Sequence, residues 1–329
     1  MQQNRRRFVI GLGSLAAATA LPSRNLAALF EPPLYPPMDL SYFDKPVSAA
    51  PSAIRFGYAA ITWNGKDRQA IDDITEVGFR GIQLRSNVLK EFGDKPRALR
   101  DLLARRKLTF VALSGGGPQG ADYDVQEAIA TQVKHATFLR EAGGLYLQMT
   151  DSTRPKDRAP SAEDAKRLGR LLTEVGKRTT DLGIPMAYHN HMGSLGQSAA
   201  EVDALMHSSD PRYVKLLLDV AHYTQGGGDP AAAIRKYRER ILFLHIKDVE
   251  NRPSSGGSGS ESYRFVELGR GRVNLRAVFD SLREIKFRGW AIVELDRVPD
   301  ETRSPKECAM ISKEYLEDKI GLKVLDTEP

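Results

Sequence analysis

Asp181-Leu182-Gly183-Ile184-Pro185-Met186-Ala187-Tyr188-His189 joins two unlike patterns, and the way they meet decides the fold. Upstream, residues 163–182 place Ala165, Leu168, Leu171, Leu172 and Val175 on one face with charges opposite, which is the period of an amphipathic helix. Gly183 stands where a helix C-cap belongs, because glycine enters the left-handed region without a Cβ penalty. Downstream, residues 184–189 form a short apolar run ending on a polar residue, as in a strand buried on both faces. The segment reads helix, glycine, strand.

The same unit recurs outward in both directions, for example with Glu76-Val77-Gly78-Phe79 leading into another strand. Strands are predicted at 54–63, 81–85, 108–114, 144–150, 184–189, 213–219, 241–247 and 289–296, with helical patterns between them. Eight such units in about 270 residues match an α/β fold of the (β/α)8 TIM barrel type over 54–322. A doubly wound open sheet is the structural alternative. Residues 251–261, with a Ser-Ser-Gly-Gly-Ser-Gly-Ser core, read as a flexible loop after the seventh strand, either a mobile lid or a tolerated insertion.

The 329 residues are 41% hydrophobic and 27% charged, which excludes disorder and collagen-like structure. Cys308 is the only cysteine, so no intramolecular disulfide forms. The net charge of +6 is concentrated at the start: Arg5, Arg6, Arg7 and Arg24 precede any acid, and removing these from the 48 basic residues leaves 44 against 42 acidic ones. A near-neutral remainder argues against a nucleic-acid partner. Asn4-Arg5-Arg6-Arg7-Phe8 ahead of a short Gly- and Ala-rich apolar run resembles a twin-arginine export signal spanning 1–30, and implies periplasmic localisation. The run is too short for a stable membrane span. No cysteine follows it to carry a lipid. Residues 31–53, rich in proline, read as a linker or arm.

Four of the six histidines, His189, His191, His222 and His245, fall at or just past the C-terminal end of a predicted strand. In a barrel those ends converge on one pocket. Asp219 ends the sixth strand, Lys247 and Asp248 follow His245, and Glu294 interrupts the apolar context Ala-Ile-Val-Glu-Leu. A carboxylate there must be paired, protonated or bound to a metal. Asp219, His245 and Glu294 together suit Mn²⁺, Co²⁺, Zn²⁺ or Fe²⁺. His135 and His207 lie in helical patterns and read as packing or surface residues. Gly115-Gly116-Gly117 is either a plain glycine loop or a phosphate cradle.

Ala187-Tyr188-His189-Asn190-His191-Met192-Gly193-Ser194, Leu217-Leu218-Asp219-Val220-Ala221-His222, Gly227-Gly228-Asp229-Pro230, His245-Ile246-Lys247-Asp248, Glu267-Leu268-Gly269-Arg270-Gly271 and Gly289-Trp290-Ala291-Ile292-Val293-Glu294-Leu295-Asp296 resemble the xylose isomerase-like barrel superfamily of sugar isomerases and epimerases. The Tyr-His-Asn-His-Met-Gly stretch, with Trp63-Asn64, is most similar to the inosose dehydratase branch.

The resemblance implies a divalent metal, foremost Mn²⁺, at Asp219, His245, Glu294 and His189, binding a small-molecule sugar or cyclitol. His189 is a departure, since sugar epimerases of the superfamily carry a glutamate there, and a symmetric two-glutamate mechanism is therefore absent. The expected enzyme removes a proton α to the carbonyl of a keto-sugar, keto-glycoside or inosose. A lyase or dehydratase reaction is favoured over isomerisation or epimerisation through the same enediolate. A non-catalytic exported carbohydrate-binding barrel is the alternative outside enzymes. His191 and His222 are the acid/base candidates, Glu294 and Lys247 complete the catalytic set, and Trp63, Asn190, His222 and Lys247 are candidate substrate contacts. Self-association is compatible with the resemblance, although no stretch of sequence marks an interface.

Overall fold

The computed structural model describes residues 53–252 and 262–324. The predicted signal, the arm as far as residue 52 and positions 253–261 of the glycine-serine loop lie outside the described residues.

Eight parallel strands close on themselves: β1 (Ile54–Ala59), β2 (Gly81–Arg85), β3 (Thr109–Ser114), β4 (Tyr146–Met149), β5 (Met186–His189), β6 (Val214–Asp219), β7 (Ile241–Ile246) and β10 (Gly289–Val293). Closure is made by β10 returning to β1, with Ile54 opposite Gly289 and Tyr58 opposite Val293. The (β/α)8 barrel expected from the eight units is thus the fold, and the doubly wound alternative, which would leave two free strand edges, is not.

Helices cover the outside. α5 (Ala162–Asp181) starts at a capping box in which Ser161 and Asp164 satisfy each other's backbone N–H groups. Its inner face is built from Leu168, Leu171, Leu172 and Val175, the stripe read from the sequence. Gly176 lets the helix touch the chain entering β6: a Cβ there would lie 2.6 Å from the Tyr213 carbonyl oxygen. α6 (Ala199–His207) and α10 (Pro305–Glu314) begin with reciprocal caps of the same kind, with Glu201 and Glu307 in the place of the aspartate.

Strand ends differ from the sequence reading. The first strand stops at Ala59, and Ala60–Trp63 turn into a 3-10 helix capped by Asn64 at φ 49°. The Thr62 hydroxyl donates to the Leu295 carbonyl at 2.6 Å and holds that turn against the end of β10. The segment after β7 is not all loop: β8 (Asp248–Asn251) and β9 (Tyr263–Val266) form an antiparallel hairpin flanking residues 253–261. Among the described residues no helix is long and apolar enough to cross a membrane.

Period-two alternation divides the strands between two cores. Leu216, Leu218, Leu244, Ile246, Ala291 and Val293 point outward under the helices. Ala59, Val111, Ala187, Leu217, Phe243, Trp290 and Ile292 fill the interior. Gly57 keeps β1 close to β2, since a Cβ there would lie 2.8 Å from the Gly81 carbonyl oxygen and 2.7 Å from Ile292. Gly57→Ala therefore destabilises by about 1–3 kcal/mol. Urea unfolding should show a lower midpoint at unchanged m-value; an unmoved midpoint would contradict this close approach.

Candidate metal centre and active site

The interior alternation also builds the site. Two residues beyond Ala187, Leu217, Phe243 and Ile292 on the same inward faces come His189, Asp219, His245 and Glu294. All four are buried, and one ligand atom from each lies within 4.8 Å of the others. Gln83 and Gln148, between outward-facing Ile82 and Leu84 and between Leu147 and Met149, are buried on the opposite side of the interior.

Hydrogen bonds fix where each lone pair points. Asp219 caps α7 (Val220–Gln225): its Oδ1 accepts from the backbone N–H of Ala221 at 2.9 Å and of His222 at 2.8 Å. Its Oδ2 is left without a hydrogen-bond partner. His245 uses Nε2 on Gln83 Oε1 at 2.9 Å, and Gln83 in turn donates to Gln148 Oε1 at 2.7 Å. An amide oxygen only accepts, so Nε2 carries the proton and Nδ1 faces Glu294 Oε1 at 3.3 Å and Asp219 Oδ2 at 3.5 Å. His189 Nδ1 is likewise buried and unpartnered. Unpaired polar atoms of three neighbouring residues, converging beside a fourth carboxylate, are the arrangement a divalent cation satisfies. These donors fit such an ion.

The charges around them are arranged for the same end. Burial would lower the His245 pKa, but Glu294 and Asp219 outweigh it and push it up to about 9. Burial would raise Glu294, but the positive charges of His245 and Lys247 hold it well below the usual carboxylate range. Burial, then neighbouring His245 and His191, pull His189 well below the usual imidazole value, so it is neutral. His222 is pulled down in the same way by burial and then Lys247. Lys247 is fully buried, its ammonium 3.1 Å from Glu294 Oε1, 2.5 Å from Asp296 Oδ1 and 4.0 Å from the centre of the Phe265 ring. Burial disfavours its charge, yet Asp296, Glu294 and Asp219 overcome that and raise its pKa.

Above the donors opens a cleft of about 410 Å³, at the C-terminal mouth of the barrel. His189, His191, Glu294 and Asp296 line it. His191 Nδ1 meets the Met192 carbonyl oxygen at 2.7 Å, which fixes the tautomer: Nδ1 donates and Nε2 keeps its lone pair.

Not every residue singled out in the sequence reaches this cleft. His222 and Lys247 stand behind it: the Met192 N–H donates to His222 Nδ1 at 3.2 Å, and His222 Nε2 lies 3.3 Å from the Lys247 ammonium. Asn190 is wholly buried and clamps β6, accepting from the Asp219 N–H at 2.8 Å and donating to the Asp219 carbonyl at 3.2 Å. Trp63 is buried edge-on to Tyr58, with its indole N–H on Asp73 at 2.7 Å, so its ring offers no open face to a sugar. His207 is exposed and His135 half-buried on α4 (Val125–Glu141). Of the three glycines, Gly116 lines the cleft, and Gly117 permits close strand approach, since a Cβ would lie 1.7 Å from the Thr150 carbonyl oxygen.

The sequence reading missed Gln83, Gln148, Asp296 and Arg85. Gln83 and Gln148 carried the signal that exposed Glu294, a polar residue inside an apolar strand; Arg85 ends β2 and Asp296 lies past the end of β10, with nothing local to distinguish them.

Comparisons with known proteins place the barrel in a family. The family model of the xylose isomerase-like TIM barrel matches residues 71–314. An inosose dehydratase of Lacticaseibacillus casei is 28% identical over 298 residues, covering 82% of this chain and 98% of that protein. Among solved structures, the IOLI protein with a binding zinc atom superimposes with a TM-score of 0.68 at 18% identity, over 80% of this chain and 97% of that one. An L-ribulose 3-epimerase gives 0.63 at 20% identity, over 82% and 94%.

Two outcomes follow for metal binding. Because the His245 pKa lies at about 9, a cation arriving at Nδ1 displaces a proton, so affinity rises with pH up to that value and flattens above it. Calorimetry at pH 7 in buffers of differing ionisation enthalpy should register release of about one proton per cation; release near zero would contradict the assignment of Nδ1. Gln83→Leu frees the His245 ring and should weaken cation binding about 10–100-fold, read by competition with a chromogenic chelator.

Proposed function

Since the chain belongs to the xylose isomerase-like TIM barrel family, we propose that it is a divalent-metal-dependent enzyme that removes a proton α to the carbonyl of a keto-sugar or inosose and expels the β-oxygen substituent. The observation that carries this reading is the convergence of buried, unpaired donor atoms of His189, Asp219 and His245 beside Glu294 on the floor of the cleft. The inosose dehydratase relative supports elimination, and the epimerase structure shares the barrel. When bound, the metal supplies a Lewis acid that draws negative charge onto the substrate's oxygens. Two imidazoles with two carboxylates suit Mn²⁺, the ion proposed, and equally Co²⁺, Fe²⁺ or the zinc of the IOLI neighbour.

The chain's own groups then divide the proton work. His191 Nε2 is the base, its lone pair held available by the Nδ1 contact to Met192. Asp296 faces the cleft with the Lys247 ammonium 2.5 Å behind it, so this pair is the proton source for the departing oxygen. Lys247 also keeps Glu294 ionised without itself touching substrate. A base and a proton source of different chemical types serve elimination, in which one proton leaves carbon and another goes to the departing oxygen; the same two groups on opposite faces of the substrate would also serve epimerisation, and the inosose dehydratase relative is what favours elimination. Arg5-Arg6-Arg7-Phe8 and the apolar run behind it support export of the folded, metal-loaded enzyme to the periplasm. Folding before export protects a weakly held ion from replacement by zinc or copper.

The test is α-proton exchange in D₂O. The metal-loaded enzyme should wash deuterium into a keto-sugar or inosose and release an unsaturated product, and His191→Asn should slow both by about 10²–10⁴-fold. Exchange with inversion and no unsaturated product would assign epimerisation instead, and no exchange on any such substrate would leave the carbohydrate-binding alternative.

A further inference from the structure

The cleft above the metal donors does not end at one chamber. A second cavity of about 430 Å³ continues from it, and Asn64, Arg85 and Ser86 face both. Each volume is within the range of roughly 300–1,000 Å³ usual for a small-molecule site. The seam is a fixed turn: Asn64 at φ 49° and Gly65 at φ 85° are successive left-handed residues following the 3-10 helix that Thr62 ties to β10. Beyond it the outer wall is polar. Asp67, Asn87, Lys90 and Glu91 stand there, with the Asn87 amide donating to Asp67 Oδ2 at 2.7 Å.

The chemistry of that wall selects among ligands. The lining carboxylates and cations are equal in number, Asp67 and Glu91 against Arg85 and Lys90, with the Glu91 carboxylate also held by Arg68, so at most one positive charge is in excess and the cavity lacks the clustered cations that a phosphate favours. Side-chain amides present donors and acceptors together, which is what a neutral polyol with alternating hydroxyl roles requires. The remaining element is position: the outer cavity shares Asn64, Arg85 and Ser86 with the cleft that His189, His191 and Glu294 line, so a substituent on a ring bound in the cleft can extend into it.

We propose that the outer cavity is a second sugar subsite and that the substrate is a keto-glycoside, whose leaving group is the oxygen of the second sugar rather than a free hydroxyl. This rests on the proton-abstraction reading above and names its substrate class. The step balances without an oxidant or reductant. The α C–H bond breaks and its proton passes to His191 Nε2, the C–C double bond forms, and the C–O bond breaks with its electron pair. The departing oxygen takes a proton from the Lys247–Asp296 pair. The products are an unsaturated keto-sugar in the inner cavity and an alcohol, the second sugar, in the outer one.

The experiment compares 3-keto-glucose with 3-keto-cellobiose, the same reacting ring without and with a second glucose, on the metal-loaded protein. Dissociation constants are read by calorimetry in the His191→Asn background to prevent turnover, and kcat/KM is read in the unaltered enzyme. The disaccharide should bind at least tenfold more tightly. Asn87→Ala and Lys90→Ala, made separately because loss of Asn87 also frees Asp67, should each erode that advantage and leave 3-keto-glucose affinity within twofold. Equal affinity for the two sugars, or an advantage that survives both substitutions, overturns the subsite while α-proton exchange on 3-keto-glucose would keep the broader reading. If neither sugar binds or exchanges, both fall.

Discussion

A buried carboxylate without a counter-charge costs several kcal/mol, and this barrel buries Asp219 and Glu294 at the ends of β6 and β10, on either side of β7. The surroundings of the site answer that constraint. Lys247, itself fully buried, is placed between Glu294 and Asp296, and His245 is placed between Glu294 and Asp219. Neither cation would tolerate its position alone. The Phe265 ring on β9 closes over Lys247 and keeps water from it, and so the hairpin after β7 has an electrostatic purpose as well as a steric one.

That hairpin is anchored from below by another buried acid. Asp248 accepts from the backbone N–H groups of Val249, Gly269, Gly271 and Val273, tying the start of β8 to the chain that follows β9. Burial pushes its pKa up to about 6 even against those four donors. Gly271 is required there because a Cβ would lie 2.2 Å from Asp248 Oδ1. The chain therefore holds the cover over Lys247 through main-chain geometry.

How much of this could be read without coordinates follows from the kind of signal each residue leaves. Asp219, His245 and Glu294 were legible because charge inside an apolar strand is costly, and the barrel was legible because glycine-ended helices kept meeting short apolar runs. Gln83 and Gln148 left the same interruption, but an amide needs no charge partner, and their link to His245 joins strands far apart in sequence. Trp63 and Asn190 read as candidate substrate contacts through the family resemblance. Their side chains turn to Asp73 and to the Asp219 backbone, choices made by tertiary packing that no local pattern records. The β8–β9 hairpin escaped notice because its strands flank a long polar insertion, not a two-residue turn.

The histidine at position 189 has a consequence for the whole charge balance. Once a cation has displaced the His245 proton, Asp219, Glu294 and Asp296 against Lys247 leave a formal charge of −2, which that divalent cation cancels. His189 is neutral and adds a ligand without adding charge. A glutamate in its place would bring the cluster to −3, so that after the cation bound one carboxylate would remain as an uncompensated base on the β5 side of the site. With histidine no such carboxylate exists, and the lone pair of His189 is committed to the donor cluster. In the proposed reaction the base then comes from the next inward position along the chain, His191, which lines the cleft with Nε2 left free by its contact to Met192. In the proposed reaction, the change of one ligand from carboxylate to imidazole thus moves the base off the metal shell, and proton removal passes to a residue two positions further along the chain from the β5 ligand.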